Sequence, residues 1–253
     1  MDSKKNLILM LKSKIKNIFR KPQSSKTEIN PNKELDYSDF ENKIVDITAE
    51  FTMTSSERIV SLIRALNYVV NNNINGAIVE CGVWKGGSIM AVLHTMNNLK
   101  NIRDIYLYDT FEGMTEPKDI DLSVKGDSAK EIYQDSNGNW CFSSLEEVKK
   151  NVFSINYPIE KLHFIKGKVE ETIPDSNTPD KIAVLRLDTD WYESTKHEMI
   201  HLFPNIVKGG IIIIDDYGHW SGCKKAVDEY LKENNIKLFL SRVDYTCRIG
   251  VKM

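Results

Sequence analysis

The chain has 253 residues, enough for one sizeable α/β domain with its own core. Hydrophobic residues make up 41% and charged residues 28%, an ordinary globular composition. Lys and Arg number 34 against 36 Asp and Glu; the net charge of −2 excludes a general affinity for nucleic acid, and no apolar run is long enough to span a bilayer.

The first 26 residues, MDSKKNLILMLKSKIKNIFRKPQSSK, set Leu7, Ile8, Leu11, Ile15, Ile18 and Phe19 at helical spacing against Lys4, Lys5, Lys12, Lys14, Lys16, Arg20 and Lys21. The segment lacks the uninterrupted apolar core and small-residue cleavage site of a secretory signal. A basic amphipathic helix can make peripheral contact with an anionic membrane or dock on a partner; an arm contacting a second copy in a homo-oligomer fits equally. The polar stretch KPQSSKTEINPNKELDYSDFENK then reads as linker, so residues 1–45 are expected to form an arm and 46–253 the folded domain. Cys81, Cys141, Cys223 and Cys247 show no metal-ligand spacing and read as free thiols of a reducing cytoplasm.

TSSERIVSLIRALNYVVNNN opens with Thr54 three residues before Glu57, a capping-box pattern, and continues as a helix with Ile59, Leu62, Ile63, Leu66 and Val70 on one face. GAIVECG is a short strand, followed by a Gly-rich loop and the apolar helix SIMAVLHTMNNL. DIYLYDTF is a second strand. Residues 112–160 read as irregular, with one helix in SSLEEVKKNVF, and are expected to form a lid over the acceptor. KLHFIKG and KIAVLRLD are the third and fourth strands, STKHEMIHLFPNIV a helix stopped near Pro204, and GGIIIIDD a fifth strand entered through a tight Gly209-Gly210 turn. CKKAVDEYLKENN is a helix, and KLFLSRV and YTCRIGVKM close the chain as a hairpin. Strands alternating with helices predict a mostly parallel sheet with helices on both faces. Ligands of such sheets bind beyond the carboxyl ends of the strands, near the switch point. Glu80, Asp109, Asp188, Asp190, Asp215 and Asp216 all fall at or just after predicted strand ends and so should share one crevice.

Three constellations carry chemistry. VECGVWKGGS follows a strand with E-x-G-x-x-x-G rather than the dinucleotide pattern G-x-G-x-x-G, with Trp84 and Lys85 inside the loop. This suits an adenosine ligand without a diphosphate; taken alone, the same residues make a plain strand-to-helix turn. Asp109, at the end of the second strand, can accept hydrogen bonds from both ribose hydroxyls or serve as a turn residue. Asp188 with Asp190, and Asp215 with Asp216, crowd like charges at neighbouring strand ends, which raises their pKa values unless a cation compensates. Hard oxygen ligands of this kind suit Mg²⁺, not zinc, and Asp190 is placed to act as general base. Single strand-end carboxylates are common in solvated loops; two pairs together are not. His219, after the DDYG turn, is a candidate to share base duties. Trp191, Tyr192 and Tyr217 flank the acids and fit either an acceptor pocket or the core.

Together, TMTSSER, IVECGVWKGGS, YDTFEGM, LRLDTDWYEST and GGIIIIDDYGHWSGCKKAVDEY resemble the macrocin O-methyltransferase (TylF-type) family, over roughly residues 50–250. The resemblance implies the class I methyltransferase Rossmann-like fold, a mostly parallel seven-stranded sheet with helices on both faces. It also implies Mg²⁺-dependent transfer of a methyl group from S-adenosylmethionine to a hydroxyl of a sugar or glycosylated small molecule. By the same resemblance Glu80, Cys81, Gly82 and Ser88 belong to the cofactor loop and Asp109 and Thr110 to the ribose end. Gly167 and Val169 stand where adenine is contacted, and Met53 and Thr54 lie over the cofactor. Asp188, Asp215 and Asp216 match metal ligands, Asp188 also facing the cofactor, and Asp190 matches the base. The basic arm maps onto none of these motifs. Two other functions compete: methylation of catechol-like phenols, which also chelate Mg²⁺, and a catalytically silent cofactor-binding partner. A nicotinamide-dependent reductase is disfavoured by the loop spacing.

Overall fold

A computed structural model describes residues 36–136, 140–175 and 178–253. The amphipathic reading of the N-terminal arm falls outside them. Residues Ser38–Met253 form one compact unit. It opens with helix α1 (Asp39–Thr48), which begins within the stretch expected to be linker and runs across the expected boundary at residue 45. Ser38 and Glu41 make a reciprocal capping box, with the Glu41 amide 3.2 Å from the Ser38 hydroxyl and the Ser38 amide 2.7 Å from the Glu41 carboxylate. Its narrow apolar face buries Ile44 against Ile59, Ile63 and Ala91, and so few apolar residues leave the segment polar in sequence.

Helix α2 (Ser56–Asn71) buries Ile59, Leu62, Ile63 and Leu66 as its spacing predicts. Its cap is Ser55, one residue later than expected, because the Thr54 hydroxyl is taken by Arg186 at 2.9 Å. The chain then alternates through β1 (Ala77–Cys81), α3 (Gly87–Asn98), β2 (Ile105–Asp109), α4 (Ala129–Asp135), α5 (Leu145–Phe153), β3 (Leu162–Lys166), the single turn α6 (Val169–Thr172) and β4 (Ile182–Leu187). It continues through α7 (Tyr192–His201), β5 (Ile206–Ile214), α8 (Ser221–Glu233), β6 (Leu240–Arg242) and β7 (Arg248–Val251). The seven strands lie in the order β3-β2-β1-β4-β5-β7-β6. β1 to β5 run parallel, and β7 pairs antiparallel with both β5 and β6 as the expected hairpin.

Strand order reverses between β1 and β4, so their carboxyl ends flank the switch point. Apolar clusters cover both faces of the sheet. Ile78, Val184 and Ile213 belong to one, and Val79, Leu185 and Ile214 to the other. This period-2 alternation turns Glu80, Arg186 and Asp215 toward the first face and Cys81 and Leu187 toward the second.

Two further stretches differ from their sequence reading. β5 begins at Ile206, so Gly209 and Gly210 lie inside the strand; the register against β4 slips there, and Gly209 has φ +82°. The glycines mark an irregularity of the strand rather than its entry turn. The segment 112–160 holds α4 as well as α5 and is tied down: fully buried Asp121 accepts from the Lys118 amide at 2.8 Å and the Tyr192 amide at 2.9 Å. Ser123 also bridges to Trp220. No helix among the described residues is long and apolar enough to cross a membrane.

Candidate active site

The loop after β1 turns on Gly82 (φ +84°) and Gly86 (φ +90°). A Cβ on Gly82 would sit 2.0 Å from the Asp188 carbonyl oxygen, so only glycine lets β1 and β4 approach this closely at the switch point. Asp109 holds the loop from the end of β2. Its Oδ2 accepts from the Val83 amide at 2.6 Å and the Trp84 amide at 3.1 Å, and its Oδ1 from the Phe111 amide at 2.7 Å. A carboxylate has about four acceptor positions. Backbone donors already fill most of those on Asp109, which leaves little room for the pair of ribose hydroxyls expected from sequence. Its first task in this structure is to brace the loop.

Beneath the crevice lies Arg186, 3% exposed, in the middle of an otherwise apolar strand. It is the register partner of Glu80 and shares its face of the sheet. Its Nη1 pairs with Glu80 and with Asp188 at 2.8 Å, and its Nη2 with Asp215 at 2.7 Å and the Thr54 hydroxyl at 2.9 Å. One guanidinium thus ties the ends of β1, β4 and β5 to the segment before α2. Arg58 adds a second clamp: it pairs with Asp215 through Nη1 and with Asp244, in the β6–β7 turn, at 2.7 Å through Nε. Sequence reasoning missed both arginines, Asp244 and Glu198. The signal for Arg186 was present, a lone charge inside the apolar run AVLRL.

Asp188, Asp215 and Asp216 each offer an oxygen within 4.8 Å of the others. Burial, with mutual repulsion added, pushes the Asp188 and Asp216 carboxyls well above the usual carboxylate range, although Arg186 counteracts this at Asp188 and Arg58 at Asp216. Burial and then the Asp188 charge push Asp190 up to about 8. Asp216 and Trp220 lie beside its carboxyl and partly offset that rise. The acids outnumber the arginines that face them, and every donor is a hard oxygen. The set therefore fits a divalent cation such as Mg²⁺ and offers neither nitrogen nor sulfur for zinc. His219 stands on the same wall, its ring edge-on to Trp220 at 4.6 Å and its Nδ1 3.3 Å from the Tyr245 hydroxyl. Burial, assisted by Arg58, lowers its pKa. Trp140, Trp191 and Trp220 meet edge to face, with centroids 5.1 to 6.1 Å apart.

The crevice brings together Met53, Thr54, Gly82, Ser88, Asp109, Asp188, Asp190, Asp215, Asp216 and His219. A second cleft shares Gly82, Asp109 and Asp188 as wall and adds Thr110, Gly167 and Val169. Two expected cofactor residues do not line either. Cys81 is fully buried on the opposite face of the sheet, because strand alternation turns it toward Glu198. Glu80 is spent below the floor, pairing with Arg186 and accepting from the Ser88 hydroxyl. A polar groove at the amino-terminal edge of the sheet, lined by Arg103, Asp104, His163 and Lys181, holds none of these groups.

A seven-stranded sheet of this order, with a Gly-rich loop and an acidic crevice at the switch point, defines a class I, S-adenosylmethionine-dependent O-methyltransferase. Its sequence matches the Macrocin-O-methyltransferase (TylF) family over residues 4–250, and the chain belongs to that family. The match reaches further toward the N-terminus than the motifs did. Demethyldecarbamoylnovobiocin O-methyltransferase of Streptomyces niveus is 31% identical over 195 residues, 76% of this chain and 72% of that one. The 8-demethyl-8-(2,3-dimethoxy-alpha-L-rhamnosyl)-tetracenomycin-C 4'-O-methyltransferase of Streptomyces olivaceus is 32% identical over 198 residues, 77% and 73% of the two chains. The structure of the O-methyltransferase NovP superposes with a TM-score of 0.71 at 29% identity, covering 80% of this chain and 82% of that one.

Proposed function

We propose that the enzyme methylates a sugar hydroxyl of a glycosylated small molecule, with Asp188, Asp215 and Asp216 holding Mg²⁺ and Asp190 taking the proton. The convergence of three carboxylate oxygens within 4.8 Å, at the switch point of a methyltransferase fold, carries this reading. The names of the Streptomyces relatives and of the Mycinamicin III 3''-O-methyltransferase of Micromonospora griseorubida support the acceptor class. When bound, the ion supplies a Lewis acid that lowers the pKa of an adjacent hydroxyl and fixes its direction.

The chain's own residues do the rest. The cleft of Thr110, Gly167 and Val169 takes the adenosine end of the donor, and Met53 with the loop at Gly82 and Ser88 encloses the methionine end. The acidic floor favours the positive sulfonium. The acceptor oxygen attacks the methyl carbon in line, the carbon–sulfur bond breaks, and the neutral thioether leaves. Asp190 accepts the hydroxyl proton, with Trp220 and Asp216 orienting its carboxyl and His219 alongside as an alternative acceptor. Positioning alone supplies up to ~7–11 kcal/mol in favourable cases, and general-base help roughly 10²–10⁴-fold.

The test is transfer of labelled methyl from S-adenosylmethionine to a panel of glycosides and catechols. Activity on glycosides, lost with EDTA and in Asp188→Ala and Asp215→Ala, is the expected outcome; full activity in EDTA removes the metal from the reading. The homo-oligomer and the membrane contact of the basic arm belong to the same reading. Sedimentation, and liposome flotation with and without residues 1–25, test them.

A further inference from the structure

The turn that carries Asp190 has a brace that the chemistry above does not use. Asp190 has φ +68°, and the Trp191 amide donates to the Thr189 carbonyl at 2.7 Å. An i to i+2 hydrogen bond with positive φ at the central residue is the rarer, strained form of the γ-turn. Aspartate carries a Cβ and adopts this region only where its surroundings over-determine the backbone.

The surroundings are explicit on both sides of the residue. The Asp188 amide donates to the Cys81 carbonyl at 2.8 Å, which anchors the turn to β1. The Thr189 carbonyl also accepts from the Ser194 hydroxyl at 3.2 Å. The Thr189 hydroxyl donates to both oxygens of Glu198, at 2.9 and 3.1 Å. Glu198 lies on α7, is completely buried, and faces the Cys81 thiol. Among the described residues it lines neither cleft and pairs with no cation. A buried carboxyl without a cation is costly, so its retention calls for a role in ordering what it touches.

We propose that Glu198 is a positioning residue: through Thr189 it locks the strained Asp188–Asp190 turn and so aims the Asp190 carboxylate into the crevice. The inference rests on the reading of Asp190 as base for its catalytic meaning, while the brace itself stands on the backbone geometry and the Thr189–Glu198 hydrogen bonds. Glu198 touches neither substrate nor ion; it acts through Thr189. Cys81, expected on the cofactor, serves the same brace from β1.

Four variants of the full chain test this: Glu198→Gln, Glu198→Ala, Thr189→Val and Asp190→Asn. Crystal structures and hydrogen exchange of the peptide covering 188–191 read the brace directly. Glu198→Gln keeps a carbonyl oxygen for the Thr189 hydroxyl and should retain positive φ at residue 190 and wild-type exchange. Thr189→Val and Glu198→Ala should relax φ and speed exchange in that peptide. On methyl α-L-rhamnoside as probe acceptor, kcat should fall roughly 10–100-fold in Thr189→Val and Glu198→Ala while KM for S-adenosylmethionine holds, the scale of a misplaced reacting group. Positive φ and unchanged exchange in both Thr189→Val and Glu198→Ala overturn the proposal. Should Glu198→Ala fail to fold, Thr189→Val and Glu198→Gln decide. If the probe is not turned over, the structures and exchange alone decide. Full activity in Asp190→Asn, with the brace intact, removes the base reading and leaves the brace.

Discussion

Replacing Arg186 with methionine removes a fully buried cation that three carboxylates share, and it keeps most of the side-chain volume. Glu80 and Asp215 are 2% and 3% exposed on their side chains, and Asp188 is 26% exposed. Breaking a buried pair by deleting one partner costs about 3–5 kcal/mol, because the remaining charge is stranded. Asp215 keeps Arg58, so the stranded acids are Glu80 and Asp188; protonation and the partial exposure of Asp188 relieve part of the cost, so a loss of about 3–5 kcal/mol is expected. For a domain of this size the melting temperature should fall by roughly 6–20 °C. Without Arg186 the folded pKa values of Glu80 and Asp188 rise further above their unfolded values. Such acids contribute stability that is present at low pH and lost as pH rises through the folded pKa. The deficit of Arg186→Met should therefore be larger at pH 8 than at pH 5.5, and Mg²⁺ should recover part of it. Urea denaturation at the two pH values, with and without Mg²⁺, measures this. A stability within about 1 kcal/mol of wild type at pH 8 would refute the view that one guanidinium holds the three strand ends together.

Mg²⁺ affinity should keep increasing as pH rises above the ordinary carboxylate range, because burial and mutual repulsion hold the Asp188 and Asp216 carboxyls high and the ion must displace their protons. Calorimetry in buffers of different ionisation enthalpy should show proton release, and its absence removes the argument. Asp109→Asn keeps one acceptor oxygen but loses charge-assisted bonds to three backbone amides. It should weaken S-adenosylhomocysteine binding by roughly tenfold or more and destabilise the fold by about 1.5–3 kcal/mol; an unaltered Kd contradicts the bracing role. Gly82→Ala forces a Cβ against the Asp188 carbonyl at positive φ and should abolish cofactor binding, with a folding defect visible in thermal melts.

The repeated strand–helix pattern, the Gly-rich loop and the paired aspartates at strand ends were legible because each depends on local spacing. The period of an apolar run reports burial, and a carboxylate after such a run lies at a strand end whatever its neighbours do. The α1 segment was not legible, since a single buried Ile44 and a capping box leave little apolar pattern. Nor was the cap of α2: Thr54 heads the capping-box pattern, but Arg186, 132 positions away in sequence, takes its hydroxyl, and Ser55 caps the helix instead.

From the chain alone came the mostly parallel α/β architecture and the nomination of Asp188, Asp190, Asp215 and Asp216. Both follow from short-range periodicity, which side-chain chemistry writes directly into the sequence. Only the folded sheet decided which acids meet. The register of β1 against β4 puts Glu80 opposite Arg186, and strand alternation sends Cys81 to Glu198 on the far face. That register brings together residues more than a hundred positions apart, and no local pattern records which partner a buried charge will find.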